Sequence, residues 1–174
     1  MRLFVALDTD KKVKEYLNFL QREIDIADVK LKYATGFHLT LKFLGDVSDF
    51  EPVTRALREI EFSEFDLKTK GIGYFGKGIR VIWAGVEPEE PVKELNRKID
   101  EKLTPLGFAK DERFHPHVTI ARVKNIKNRN ALIEKFKAIE KKEIRFRVNS
   151  FILYKSTLTS QGPIYSVVEK YRAG

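Results

Sequence analysis

Two four-residue segments of this chain repeat one pattern, His38-Leu39-Thr40-Leu41 and His117-Val118-Thr119-Ile120. In a β-strand, residues i and i+2 point to one face and their neighbours to the other. Each segment therefore sets an imidazole beside a hydroxyl on one face and two apolar side chains on the opposite face. That arrangement needs a strand buried on one side and accessible on the other, and the fold must hold two such strands. Two of the three histidines of the chain fall in this pattern.

The apolar periodicity around the two segments predicts the rest of the architecture. Leu3 to Leu7 is a first strand, closed by Asp8-Thr9-Asp10, and Asp10 is a good N-cap for the next element, a helix. Val13, Tyr16, Leu17, Leu20 and Ile24 form the apolar stripe of that helix. The segment from His38 to Leu44 is β-rich and ends at Gly45-Asp46, and Val53, Ala56, Leu57 and Ile60 mark a second helix. Strands from about Asp66 to Phe75 and Ile79 to Val86 are joined by Gly76-Lys77-Gly78. That tripeptide is a hairpin signal, without the spacing or the strand-to-helix context of a phosphate loop. Val92, Leu95, Ile99 and Leu103 give a third helix with Gly107 as its stop. His117 to Val123 is another strand, Leu132, Phe136 and Ile139 a fourth helix, and Ile144 to Tyr154 and Ile164 to Tyr171 two last strands.

Strands and helices that alternate with hairpins predict an α+β fold rather than a doubly wound sheet. The order also repeats loosely, each half offering strands, a helix and one His-x-Thr-x strand. We therefore expect residues 1–174 to form a single bilobal domain of two pseudo-symmetric lobes, with helices outside and a central groove. No Gly/Ser linker or low-complexity segment divides the chain.

Composition removes several chemistries. Cysteine is absent, which excludes disulfides, thiolate nucleophiles, iron–sulfur clusters and cysteine-based zinc sites. The apolar run after Met1-Arg2 is cut off by Asp8, too short for a signal peptide or a membrane span, so a cytoplasmic protein is expected. The net charge is +8, a field that favours anionic partners such as nucleic acid. Abundant Lys, Glu and Arg beside one Met resemble a thermophile pattern.

Paired histidines suit attack at phosphorus. Nucleophile and leaving group lie on opposite sides of the phosphorus, so an acid and a base are needed on opposite sides. Imidazole serves either role near neutral pH. Two threonine hydroxyls can donate to the non-bridging oxygens as charge develops. A single His-x-Thr is usually a strand histidine beside a β-favouring threonine. Two copies in matching strand contexts point to catalysis by His38, Thr40, His117 and Thr119.

At these residues the chain resembles the two-histidine phosphoesterases, specifically the group of RNA 2′,3′-cyclic phosphodiesterases also called 2′-5′ RNA ligases. The similarity runs through the opening Met-Arg-Leu-Phe-Val-Ala-Leu-Asp, Phe37 to Gly45, Val81 to Val86, Phe114 to Arg122, and Leu153 to Ser156. Ala34-Thr35-Gly36 departs from the family's more usual Pro-Glu-Asn-like turn. The resemblance implies a bilobal fold whose motifs face each other across a groove. It implies hydrolysis of RNA 2′,3′-cyclic phosphate ends to 2′-phosphate ends, and joining of such ends to a 5′-hydroxyl through a 2′-5′ linkage. It implies no metal and no cofactor, a soluble monomer without membrane attachment, and RNA partners that include tRNA fragments. By position, His38 is the proton donor, His117 the proton acceptor, and Arg122 a substrate-binding residue.

Strict alternation puts Arg122 on the face opposite the catalytic pair unless the strand bulges. His115, held by Pro116, is expected to be structural. Phe37, Phe43, Tyr74, Phe75 and Phe114 are candidate base-stacking residues, and Lys42, Lys77, Arg80, Lys110 and Arg113 candidate groove cations. Three rivals stand beside this reading: a zinc hydrolase ligated by His38, His115 and His117, a non-catalytic RNA-binding module, and a phosphodiesterase of small cyclic phosphates.

Overall fold

The computed structural model describes residues 1–174. The element order is β1 (Arg2–Leu7), α1 (Lys11–Glu23), β2 (Val29–Tyr33), β3 (Leu39–Asp46), α2 (Glu51–Arg58), β4 (Phe65–Phe75), β5 (Val81–Glu87), α3 (Glu90–Leu103), β6 (His117–Ile126), α4 (Arg129–Ala138), β7 (Arg145–Val148), β8 (Ser150–Thr159) and β9 (Gly162–Arg172). The Asp10 carboxylate accepts from the Val13 amide at 2.9 Å and so starts α1 as expected. Gly107 follows α3 and a short 3-10 turn with φ +93°, a conformation glycine adopts without strain.

All nine strands join one sheet, and every pairing is antiparallel. The order is β7-β4-β5-β6-β3-β1-β8-β9, with β2 lying along the part of the β6 edge that β3 leaves free. The order is symmetric about its centre. Strand β6 corresponds to β3, β5 to β1, β4 to β8, and β7 to β9. In chain order each half runs strand, helix, motif strand, helix, strand, and its last strand crosses into the other lobe. Thus β4 pairs with β5, and β8 pairs with β1. The lobes interlock through these exchanged strands, which is the physical content of the bilobal expectation.

Helices cover one face of the sheet. Val13, Tyr16, Leu17 and Leu20 of α1, and Val92, Leu95, Ile99 and Leu103 of α3, are buried against it, at roughly 1.5–3 kcal/mol for each large apolar side chain. No helix is long and apolar enough to cross a membrane.

Three expectations need correction. Strand β2 was not anticipated, although Val29, Leu31 and Tyr33 alternate with Lys30 and Lys32. Strand β3 does not stop at Leu44 but includes Gly45-Asp46 as its last two residues. Both residues are paired with β1, and Gly45 stays in the ladder with φ +70°. The stretch from Ile144 to Tyr154 is not one strand. Its two parts meet at Asn149 and serve opposite regions of the sheet, β7 on β4 and β8 on β1.

Candidate functional site

The two motif strands meet at the centre of the sheet, where Leu39 faces Val118 in the single register pair joining β3 to β6. Both side chains are fully buried, so this pair points into the core. Antiparallel alternation then sets His38 beside Thr119 and Thr40 beside His117 on the opposite face. The two histidines occupy diagonal corners of that square, related by the sheet's pseudo-twofold axis.

Each motif strand bulges at the same place. Thr40 faces Ala6 and Lys42 faces Val5, which leaves Leu41 as the extra residue. Thr119 faces Trp83 and Ala121 faces Ile82, which leaves Ile120 as its counterpart. A bulge resets the side-chain parity of the rest of its strand. Leu41 and Lys42 are consequently buried in succession, as are Ile120 and Ala121, and the residues after them emerge on the site face. Those residues are Phe43, 74% exposed, and Arg122. His38, Thr40, Thr119, Arg122 and Phe43 line one groove of about 660 Å³, walled by the tip of the β8–β9 hairpin. The bulge is what brings Arg122 onto the same face as Thr119. His117 lies outside this lining.

His38 is delivered just before β3 by a pinned turn. Gly36 has φ +85° and the buried Phe37 has φ +36°, an unusual value for a residue with a Cβ. A Cβ on Gly36 would meet His38 Cε1 at 2.9 Å and the Tyr165 ring at 3.0 Å. The Thr9 hydroxyl donates to the Phe37 carbonyl at 3.0 Å, and Gln21 Nε2 donates to the carbonyls of Ala34 and Ile120 at 2.9 and 3.0 Å. One α1 side chain therefore ties the turn before the first motif to the strand of the second. The His38 ring packs against Tyr154, Tyr165 and Phe4 at centroid distances of 4.4, 5.2 and 5.8 Å. Burial pushes the Tyr154 phenol up to about 12, so it stays protonated beside the imidazole.

His117 Nδ1 lies 2.7 Å from the His115 carbonyl, which can only accept. Nδ1 therefore carries the proton in the neutral ring, and the Nε2 lone pair is left free. The ring stands edge-on to Phe75 at 4.9 Å, with Trp83 at 6.1 Å. Burial holds both site histidines below the ordinary imidazole value. For His38, Lys14 adds to that lowering and Asp8 opposes it. For His117, the bond to the His115 carbonyl opposes that lowering, while the neighbouring His115 ring and Arg122 add to it.

Several candidates fall elsewhere. Lys42 is not a groove cation. It is 5% exposed and makes an ion pair with Asp100 of α3, while also donating to the Ala109 carbonyl at 2.6 Å. Phe37 is a core residue, Phe75 packs on His117, and Tyr74 sits beside Arg129 and Phe136. Of the five aromatic candidates, Phe37 and Phe43 line the groove, and only Phe43 is exposed there. His115 supplies a carbonyl to His117, and its ring packs on Trp83 at 4.7 Å. No three His, Asp or Glu side chains converge as ligands, so the three-histidine zinc set is not assembled. Gln21, Thr9, Tyr154, Tyr165 and Trp83 were not foreseen as site neighbours, because nothing in their spacing links them to the motifs.

Residues 21–159 match the model of the 2′-5′ RNA ligase superfamily. The chain is 40% identical to the RNA 2′,3′-cyclic phosphodiesterase of Methanocaldococcus jannaschii, covering 98% of this chain and all of that protein. It is 33% identical to the protein of the same name from Methanothermobacter thermautotrophicus, covering 99% and 98%. The crystal structure of TT0787 from Thermus thermophilus superposes with a TM-score of 0.78 at 26% identity, over 99% of this chain and 97% of that one. With E. coli LigT the fold agrees at a TM-score of 0.80 and 22% identity, over 99% and 97%. A family model matched over most of the chain, with relatives aligned end to end, means that this chain belongs to the 2′-5′ RNA ligase superfamily.

Proposed function

We propose that the chain hydrolyses RNA 2′,3′-cyclic phosphate ends to 2′-phosphate ends, without metal or cofactor, by acid–base catalysis between His38 and His117. The observation that carries this reading is the Leu39–Val118 pair, which brings the two motifs side by side with their histidines at diagonal corners. The full-length relatives named RNA 2′,3′-cyclic phosphodiesterase support the substrate class.

Thr40 and Thr119 lie between the histidines and donate to the non-bridging oxygens of the cyclic phosphate. His117 Nε2, unprotonated while Nδ1 is bound to the His115 carbonyl, takes a proton from water as its oxygen attacks phosphorus. The bond from phosphorus to the 3′-oxygen breaks, and His38 gives that oxygen a proton. The products are a 2′-phosphate and a 3′-hydroxyl, and proton exchange with solvent resets the pair. A 5′-hydroxyl in place of water gives a 2′-5′ linkage by the same steps, and the reverse reaction exchanges the two histidines' roles. Arg122 holds substrate phosphate on the groove side of Thr119. The cellular setting this implies is cytoplasmic RNA processing by a monomer, with tRNA fragments among the substrates.

The test is product analysis. An oligonucleotide with a 2′,3′-cyclic phosphate end, incubated with the protein, should yield the 2′-phosphate and none of the 3′-phosphate. A 3′-phosphate product, or no product, would refute the assignment.

A further inference from the structure

The register of β2 on β6 puts Lys32 directly opposite Arg122. Like charges facing each other across two strands oppose the pairing. Some cross-strand and helix-face cations on this surface are matched with carboxylates: Lys68 with Glu87 and Glu143, Arg97 with Glu94 and Glu101, Arg147 with Glu64 and Asp66. Lys32 and Arg122 have no carboxylate within 4.0 Å. Both are exposed, and both line the groove that holds His38, Thr40 and Thr119. The chain has 25 Asp and Glu residues, yet none is among the 22 residues lining this groove, which also include Arg2. Two facing cations in a carboxylate-free groove are suited to an anion that comes from outside.

Their position separates that anion from the reacting phosphate. Arg122 follows Thr119 by three residues, and at about 3.3 Å per residue the cation pair sits up to roughly 10 Å further along β6, shortened by the bulge. A phosphate held between Thr40 and Thr119 leaves room there for the next one.

Resting on the functional reading above, we infer that Lys32 and Arg122 form a subsite for a second phosphate of the same strand. That phosphate is the internucleotide one adjacent to the cyclic end. The preferred substrate is then an oligonucleotide rather than a mononucleotide.

The experiment compares a dinucleotide ending in a 2′,3′-cyclic phosphate with a nucleoside 2′,3′-cyclic phosphate, in the wild type and in Lys32→Gln. The wild type should favour the dinucleotide in kcat/KM. In Lys32→Gln that preference should fall roughly ten-fold, the loss expected for one hydrogen bond between charged groups. The dinucleotide's KM should also rise more steeply with salt than the nucleoside's, by about 0.7 in log–log slope for the extra phosphate contacted. An unchanged preference in Lys32→Gln, or equal salt slopes for the two substrates, would overturn the subsite. Binding supplies a readout independent of turnover. Fluorescence anisotropy with a labelled dinucleotide bearing a 2′-phosphate should show the same loss in Lys32→Gln. An active protein with no such loss refutes the subsite alone, and an inactive one with the loss refutes the reaction alone.

Discussion

Replacing Lys42 by Met should destabilise the protein far more than the loss of an ordinary lysine. The Lys42 and Asp100 side chains are 4% and 8% exposed. Asp100 also accepts from the Asp111 amide at 3.0 Å, and the neighbouring Asn96 donates to the Leu41 carbonyl at 2.9 Å. The ion pair therefore holds the first motif strand to α3, and both to the segment that leads into the second motif. With Lys42 gone, Asp100 keeps its amide but becomes a buried charge without a counterion, which costs about 3–5 kcal/mol. For a chain of this length each kcal/mol moves Tm by about 2–4 °C, so a fall of roughly 6–20 °C is expected. The double variant Lys42→Met/Asp100→Asn has no charge to strand and still offers an oxygen to the Asp111 amide. It should recover about half of the loss or more. Urea unfolding of the wild type, both single variants and the double variant measures all of this. A single variant within about 1 kcal/mol of wild type would show that no buried charge is being neutralised there. A double variant no better than Lys42→Met would refute the reasoning as well.

Other predictions concern the site. A Cβ on Gly73 would fall 2.2 Å from the Trp83 ring, against which His117 packs, so Gly73→Ala should cost about 1–3 kcal/mol of stability and lower kcat by displacing that wall. Unfolding and steady-state rates on the one variant test both effects. Both histidines sit below their ordinary value in the folded protein, so the kcat/KM bell should be centred on the acid side of pH 6.5. The kcat bell should lie higher, because a bound phosphate anion favours both imidazolium forms, and coincident bells would contradict the burial argument. The same lowering means that the unfolded chain binds more protons just below pH 6.5, so stability should rise with pH through that window. Activity on a cyclic phosphate end should survive exhaustive chelation, and inactivation with recovery on adding zinc would transfer the chemistry to a metal.

Much of this was legible in the sequence because periodicity reports burial. The apolar stripes of α1 and α3, the Asp10 cap and the two motif strands needed only local physics. What was hidden depends on partners distant in sequence. Lys42 looked like an exposed cation, since nothing local reveals that Asp100 waits 58 residues away. The β3 bulge was masked by the same lysine, an apparently polar residue that is buried. In the second copy the adjacent apolar Ile120 and Ala121 carried the signal, and with it the placement of Arg122. The lobe exchange was invisible because the single residue Asn149 separates β7 from β8. Gln21, Tyr154 and Tyr165 come from three different elements, and only the fold brings Gln21 to the turn before the first motif and the two tyrosines to the His38 ring.

The most direct test of the two-histidine mechanism is the single-turnover rate of His38→Ala and His117→Ala on an oligonucleotide with a 2′,3′-cyclic phosphate end. Both histidines are half-buried and neither belongs to the hydrophobic core, so both variants should fold and unfold near wild-type conditions. Each should be slower by a factor of about 10²–10⁴, the range for losing a positioned acid or base. The double variant should be little slower than either single one, because the two groups act as a unit. A folded His117→Ala protein with near-wild-type turnover would contradict the mechanism.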